Sequence, residues 1–594
     1  MSDPHRAEPR RRAPLRPPTS RGRRTAALSA TLAACLVLAG CTQIPQSSPV
    51  RTGEPLADNR ASADTPQFRP PGPADGADAE EVIRGFILAG TSPQDDYEIA
   101  REHLTGPATR QWNPAQRTVV YSAQPTITRV AEDSYQIQVE VDSEVDEYGL
   151  RTMAPPGSTR AWEITLDETE QGPRISAVDD GTLLSLSQFT QVYAPHDLVF
   201  FDQTMTYAVA DVRWFVNRGT TVTAATRALL HGPAPYLTGA TVSAFPVRSG
   251  TDLTHPAVPV DEAGVARVDL VDAAVEGADA EARYRMEEQL RLTLTGLASV
   301  NRVEVSVEGA PLASSGGDAT PVPVQVDPPA ESVQVGVAPS TGGLAFFQGL
   351  SVTPVGGVPN VADLHPAVPA MSRDRTRFAF LTQDRTSLYL ATAEGRLEQA
   401  VRGTGLTPPS IDALGWAWTV DAGGSARIQA SPLEPEGDGS GRVVTAPWLE
   451  DGESIVALRI SRGGARAALV VDDGERRTVR VAGVVRGSDG VPASLTEPLL
   501  LPSQEDPDLV EWVGDTSLIA SATAGDEDDR VTPEIIDLDG TTRQLNPLSG
   551  LTGVSAGDRG TLYAETRDTV FMLVGSSWRA QELSRPVRDL AFPG

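Results

Sequence analysis

Met371-Ser372-Arg373-Asp374-Arg375-Thr376-Arg377-Phe378-Ala379-Phe380 and Ile460-Ser461-Arg462-Gly463-Gly464-Ala465-Arg466-Ala467-Ala468-Leu469 decide how the larger part of this chain is read. In both, a Ser, a turn and an Arg five residues after the Ser lead into an apolar strand. A strand–turn–strand unit cannot bury its apolar face alone, so its recurrence implies neighbours that stack on it. Weaker cousins occur at Ser555-Ala556-Gly557-Asp558-Arg559-Gly560-Thr561-Leu562-Tyr563, Leu414-Gly415-Trp416 and Val510-Glu511-Trp512. From residue 332 onward, short strands broken by Gly, Asp and Ser continue to residue 594. At roughly 40 to 50 residues per blade, that length gives a β-propeller of five or six blades. The irregular repeats leave a β-sandwich as the alternative.

Upstream the period changes. Val222, Ala225 and Leu229 share a helix face that Thr221 and Thr223 can cap and Gly232-Pro233 stops. Ala266, Val268 and Leu270 then alternate as a strand. A longer helix carries Ala282, Met286, Leu290, Leu294 and Leu297, and Val303, Val305 and Val307 alternate before a turn at Gly309. Residues 203–312 therefore read as one α+β domain, with 313–331 as a linker. Before it, Ala79-Glu80-Glu81-Val82-Ile83 opens a helix and Tyr97 to Leu104 a second. Tyr135 to Val141 and Trp162 to Leu166 alternate as strands, which makes 77–202 a smaller α+β domain.

The first 40 residues read as an address. Eight Arg precede an uncharged run from Thr25 to Gly40, which is the layout of a secretory signal. That run is short of the roughly 20 apolar residues of a membrane helix. Leu38-Ala39-Gly40-Cys41 resembles the cleavage motif of a bacterial lipoprotein signal, with Cys41 taking lipid as a thioether through its nucleophilic thiolate. Export by the general pathway is favoured over the twin-arginine one, because Arg23-Arg24 leads into Thr25-Ala26-Ala27 without a strongly apolar core. Residues 41–76, rich in Pro, Ser, Asp, Gly and Ala, read as a flexible tether.

Removing residues 1–40, with eight Arg and two acids, takes the formal charge from −29 to −35. Such an acidic protein is not built to neutralise nucleic-acid phosphates or to lie on anionic lipid. All 50 basic residues are Arg. The other cysteine, Cys35, falls in the leader, so the expected mature chain has no pair to bridge.

The Gln289-Leu290-Arg291-Leu292-Thr293-Leu294-Thr295 segment, with the closing strand from Val300 to Gly309, resembles the GerMN domain of spore germination proteins. With a lipoprotein signal ahead and a β-rich repeat behind, residues 25–594 resemble the actinobacterial LpqB lipoprotein family. That resemblance implies a lipid-anchored accessory protein on the outer face of the cytoplasmic membrane. It also implies binding to the extracytoplasmic part of a sensor kinase of the MtrA-MtrB two-component type, in envelope homeostasis and division.

Chemical motifs are sparse. Gly553-Val554-Ser555-Ala556-Gly557 matches a nucleophile elbow, but a turn and a strand follow where the elbow needs a helix, and the last histidine, His365, precedes it. His5, His103, His196, His231, His255 and His365 show no ligand spacing, leaving only a zinc site built from distant residues. Glu144-Val145-Asp146-Glu147 and Asp526-Glu527-Asp528-Asp529 read as solvated turns; the second lacks the Gly and spaced oxygens of a calcium loop. Trp416, Trp418, Trp448 and Trp512 read as blade core more readily than as a sugar platform. No catalytic residue, metal or cofactor is expected. The chain reads as a binding protein, with binding of peptidoglycan or another envelope glycan as the alternative and glycan hydrolysis in a propeller pocket as a third.

Overall fold

The computed structural model describes residues 69–594 except 248–249, 313–323, 327–331, 424–426, 435–440, 488 and 558–559. Leu38, Ala39, Gly40 and Cys41, most of the tether and most of the linker lie outside the described residues. Residues 66–594 form one compact unit.

The first domain opens on helix Ala79–Ala89. Asp78 and Glu81 exchange side-chain to backbone hydrogen bonds of 2.9 and 3.0 Å across its first turn, satisfying two amides the helix leaves open. Its Val82, Ile83, Phe86 and Ala89 pack on a seven-stranded sheet centred on Ser134–Asp146. That strand alternates buried Ile137, Val139 and Val141 with outward polar residues, the pattern of a sheet with one wet face.

In the second domain, Tyr193–Asp202 pairs antiparallel with Ala208–Val216. Helices Thr221–His231 and Ala280–Leu294 pack with that hairpin and with the parallel pair Val265–Leu270 and Arg302–Val307 around one core, which includes Met286, Leu290 and Leu294. Hydrogen bonding thus carries residues 193–202 into this domain. The polar break after Asp202 is a hairpin turn, where Asp202 accepts from the amides of Thr204, Thr206 and Tyr207. Thr223 does not cap the first helix; its hydroxyl accepts from the Val258 amide, 2.9 Å away.

The rest is a six-bladed propeller. Blades 2, 3, 5 and 6 are four-stranded and begin at Pro366–Met371, Ser410–Ile411, Leu509–Trp512 and Leu551–Ala556; blade 4 begins at Ser454–Ile460 and carries a fifth strand. Blade 1 takes three strands from residues 334–354 and its innermost from Arg588–Ala591, which pairs with Gln334–Ala338. The late strand completes the first blade and so fastens the two ends of the ring together.

The shared register of blades 2 and 4 is the hairpin between their first two strands. Ser372 Oγ accepts from the Arg377 amide at 3.0 Å and Ser461 Oγ from the Arg466 amide at 3.2 Å. The backbone returns the contact, Ser372 N to Arg377 O at 2.9 Å and Ser461 N to Arg466 O at 2.8 Å. Blade 3 uses Asp412 in the same place, accepting from the Trp416 amide and the Trp418 indole. Ser555 is not the equivalent residue. It sits inside strand Leu551–Ala556 with its Oγ 2.7 Å from Gln334 Oε1, and blade 6 closes its hairpin from Gly557 N to Thr561 O.

Candidate binding cleft at the domain junction

The blade hairpins that made the repeat legible are where the second domain docks. Arg466, whose side chain is 1% exposed, forms an ion pair with Asp515 and donates from Nη1 to the Ala210 carbonyl at 3.2 Å. Its guanidinium lies 5.1 Å from the Trp512 ring centre, and Asp515 accepts from the Ala210 amide in turn. On blade 2, Arg373 Nη1 donates to the Tyr207 hydroxyl at 3.3 Å and stands 6.0 Å from the ring centre. Residues 207–210 are therefore held from blades 2 and 4 at once. A third anchor is the Asp539 carbonyl of blade 5, which accepts from the Trp214 indole at 2.9 Å and from Arg151 of the first domain at 3.2 Å.

Beside the clasp on blade 2 lies an open cleft of about 800 Å³, lined by Tyr207, Arg373, Asp374, Arg377, Trp416 and Asp489 among others. Gln325, within the 313–331 linker, borders it and exchanges backbone hydrogen bonds with Ala208 and Thr206. Arg377 is engaged by Asp374, 2.8 Å away, and by Glu434. Burial opposes ionisation of Asp374, but hydrogen bonds from Ser372 and Thr376, with Arg377 beside it, hold its carboxyl below the ordinary range. Mixed charge around an aromatic floor suits a polar ligand rather than a greasy one.

A second cavity, of about 150 Å³, runs along the propeller axis, walled by the first strands of the blades. Arg459 crosses it to pair with Glu511 and donates to the Pro408 carbonyl at 2.9 Å. Burial pushes the Glu511 carboxyl up, with Arg459 opposing. Glu565 accepts from the amides of Asp589 and Leu590 at 2.7 and 2.6 Å, fixing the closing strand where its register shifts. Burial pushes that carboxyl up to about 7. These groups are used by the fold.

The other residues singled out from sequence are scattered. His103 is buried and pushed down to about 4 by desolvation. His231 stacks on Tyr148 at 3.6 Å, and His255 lies 3.8 Å from Asp269. Asp146 closes a turn by accepting from the Tyr148 and Leu150 amides, and Glu527 pairs with Arg567. Among the described residues no three His, Cys, Asp or Glu are grouped to hold a metal ion, and no helix is long and apolar enough to cross a membrane. Trp418 and Trp512 are core, at 0% and 5% exposure, in separate clusters, and Trp448 packs against the one that holds Trp418. Trp416 departs from that expectation by also lining the cleft. No local pattern announced the cleft, because its walls come from three blades and another domain.

Three family models match the chain in the order of its domains. One described as the N-terminal domain of lipoprotein LpqB covers residues 72–190, one described as sporulation and spore germination covers 192–313, and one described as the LpqB beta-propeller domain covers 342–590. Lipoprotein LpqB of Streptomyces avermitilis is 27% identical over 96% of this chain and 99% of that one. Lipoprotein LpqB of Bifidobacterium longum is 26% identical over 80% and 81%. That of Streptomyces coelicolor is 27% identical over 94% and 96%.

Proposed function

The chain belongs to the LpqB lipoprotein family, and on that footing we propose that it is a lipid-anchored extracytoplasmic accessory protein that binds and modulates a sensor histidine kinase of the MtrA-MtrB type. The observation that carries the reading is the match along 96% of this chain and 99% of a relative whose name is lipoprotein, together with the Leu38-Ala39-Gly40-Cys41 motif. The kinase partnership rests on the family resemblance. Physically, a lipid on Cys41 and a Pro- and Gly-rich tether confine the folded domains beside membrane-embedded partners. The high effective concentration that results lets a weak interface be occupied. A body whose domains are clasped by hydrogen bonds across their junction offers such a partner one fixed surface, with little ordering to be lost on binding.

The test uses the full chain in membranes. Lipid labelling should vanish in Cys41→Ala, with uncleaved or shed protein left behind. The lipidated chain should retain the purified extracytoplasmic part of the kinase from the same organism. Labelling that survives the substitution overturns the anchor; no retention with both proteins folded overturns the partnership.

A further inference from the structure

Trp416 stands apart from the other tryptophans. Of the eight in the chain, Trp112, Trp214, Trp418, Trp512 and Trp578 donate their indole N–H to a carbonyl or carboxylate. The indole nitrogens of Trp162 and Trp448 are sealed in the interior without a partner. The Trp416 nitrogen has neither fate: no described protein group accepts from it and it is not buried, and the residue lines the cleft. Arg373, on the facing hairpin, is similarly underused. Its one hydrogen bond goes to the Tyr207 hydroxyl, and among the described residues it makes no ion pair, whereas Arg377 on the same hairpin is held by two carboxylates.

From these two side chains we propose that the junction cleft is a binding site for a carboxylate-bearing glycan. A pyranose has an apolar C–H face and a rim of hydroxyls, so it needs an aromatic surface beside planar hydrogen-bonding groups. Trp416 and Tyr207 supply the first, and Arg373, Asp374 and Asp489 the second. The guanidinium of Arg373 is the receptor for the carboxylate, a pairing in which two parallel N–H donors match two oxygens. In a chain of net charge −29, an acidic ligand is repelled at long range, so its capture depends on such a local cation. At about 800 Å³ the cleft has room for a disaccharide. The site does not depend on the kinase partnership.

The experiment is calorimetric titration of the full chain with a muramic-acid-containing disaccharide, with neutral chitobiose and with a tetra-aspartate peptide. The acidic disaccharide should bind most tightly. Arg373→Gln should weaken it at least tenfold while changing chitobiose less than twofold, and Trp416→Ala should weaken both sugars at least tenfold. Trp416→Phe, which keeps an aromatic face but loses the indole N–H, should weaken both sugars less than Trp416→Ala does. The site is overturned if the unsubstituted chain binds neither sugar, if it binds the peptide as tightly as the acidic sugar, or if Arg373→Gln and Trp416→Ala both leave binding unchanged. It is overturned equally if Tyr207→Phe is as impaired as Arg373→Gln, because the arginine would then act through the domain junction.

Discussion

Blades 2 and 4 carry the same hairpin, yet its arginine leads two different lives. In blade 4 the Arg466 side chain is 1% exposed, paired with Asp515 and bonded to another domain. In blade 2 the Arg377 side chain is 28% exposed and faces a solvent-filled cleft, held by Asp374 and Glu434. The local backbone is alike in both; what differs is which arginine of the hairpin the second domain meets, Arg466 in blade 4 and Arg373, four residues before Arg377, in blade 2. A repeat therefore specifies a blade, and the neighbour laid across it decides whether its charged residue becomes a structural bolt or part of a site.

The sharpest way to break the comparison is to remove the bolt. Arg466→Met leaves Asp515 without its partner and the Ala210 carbonyl without a donor, so stability should fall by about 3 to 5 kcal/mol. Urea unfolding reads the loss, and limited proteolysis should show earlier cutting between the second domain and the propeller. The equivalent Arg377→Met should cost about 1 kcal/mol or less, because its ion pairs are solvent-screened.

A smaller effect should be shared. Ser461→Ala and Ser372→Ala each remove an acceptor from a hairpin amide, and each should cost about 1 kcal/mol in the same unfolding assay. A several-fold difference between them would show that the two hairpins are not one device.

The smallest effect separates them by pH. Because the Asp374 carboxyl is held below its ordinary range, its contribution is present above the unfolded value near 4 and is lost as pH falls through the folded value. Asp374→Asn should thus destabilise at pH 7 by about 0.5 kcal/mol, after allowance for screening, and its difference from the unsubstituted chain should shrink as pH falls below the unfolded value. Unfolding midpoints measured from pH 7 down to pH 3 check this.

The propeller was legible because two blades repeat one hairpin, a Ser whose hydroxyl closes the turn on the amide five residues on, a constraint contained in ten residues. The blade number was less so, since blade 1 borrows its inner strand from Arg588–Ala591, and no local pattern reports a pairing that distant. The boundary set after Asp202 falls inside a hairpin, since Tyr193–Asp202 pairs with Ala208–Val216. Trp416 was hidden by its neighbour. Residues two apart on a strand share a face, so Trp416 and Trp418 look equivalent in sequence. Depth along the strand separates them, and only the folded blades set that depth.

The closing strand of blade 1 bears on how the molecule comes into being. Val335 finds its partner Ala591 only after five other blades have been laid down between them. A contact of such sequence separation is slow to form, because the entropy of closing so long a loop is spent before the contact rewards it. Until then blade 1 shows a bare strand edge of the kind that recruits other chains. Assembly of the ring waits on that late segment. The waiting interval, more than the finished fold, is where aggregation would compete.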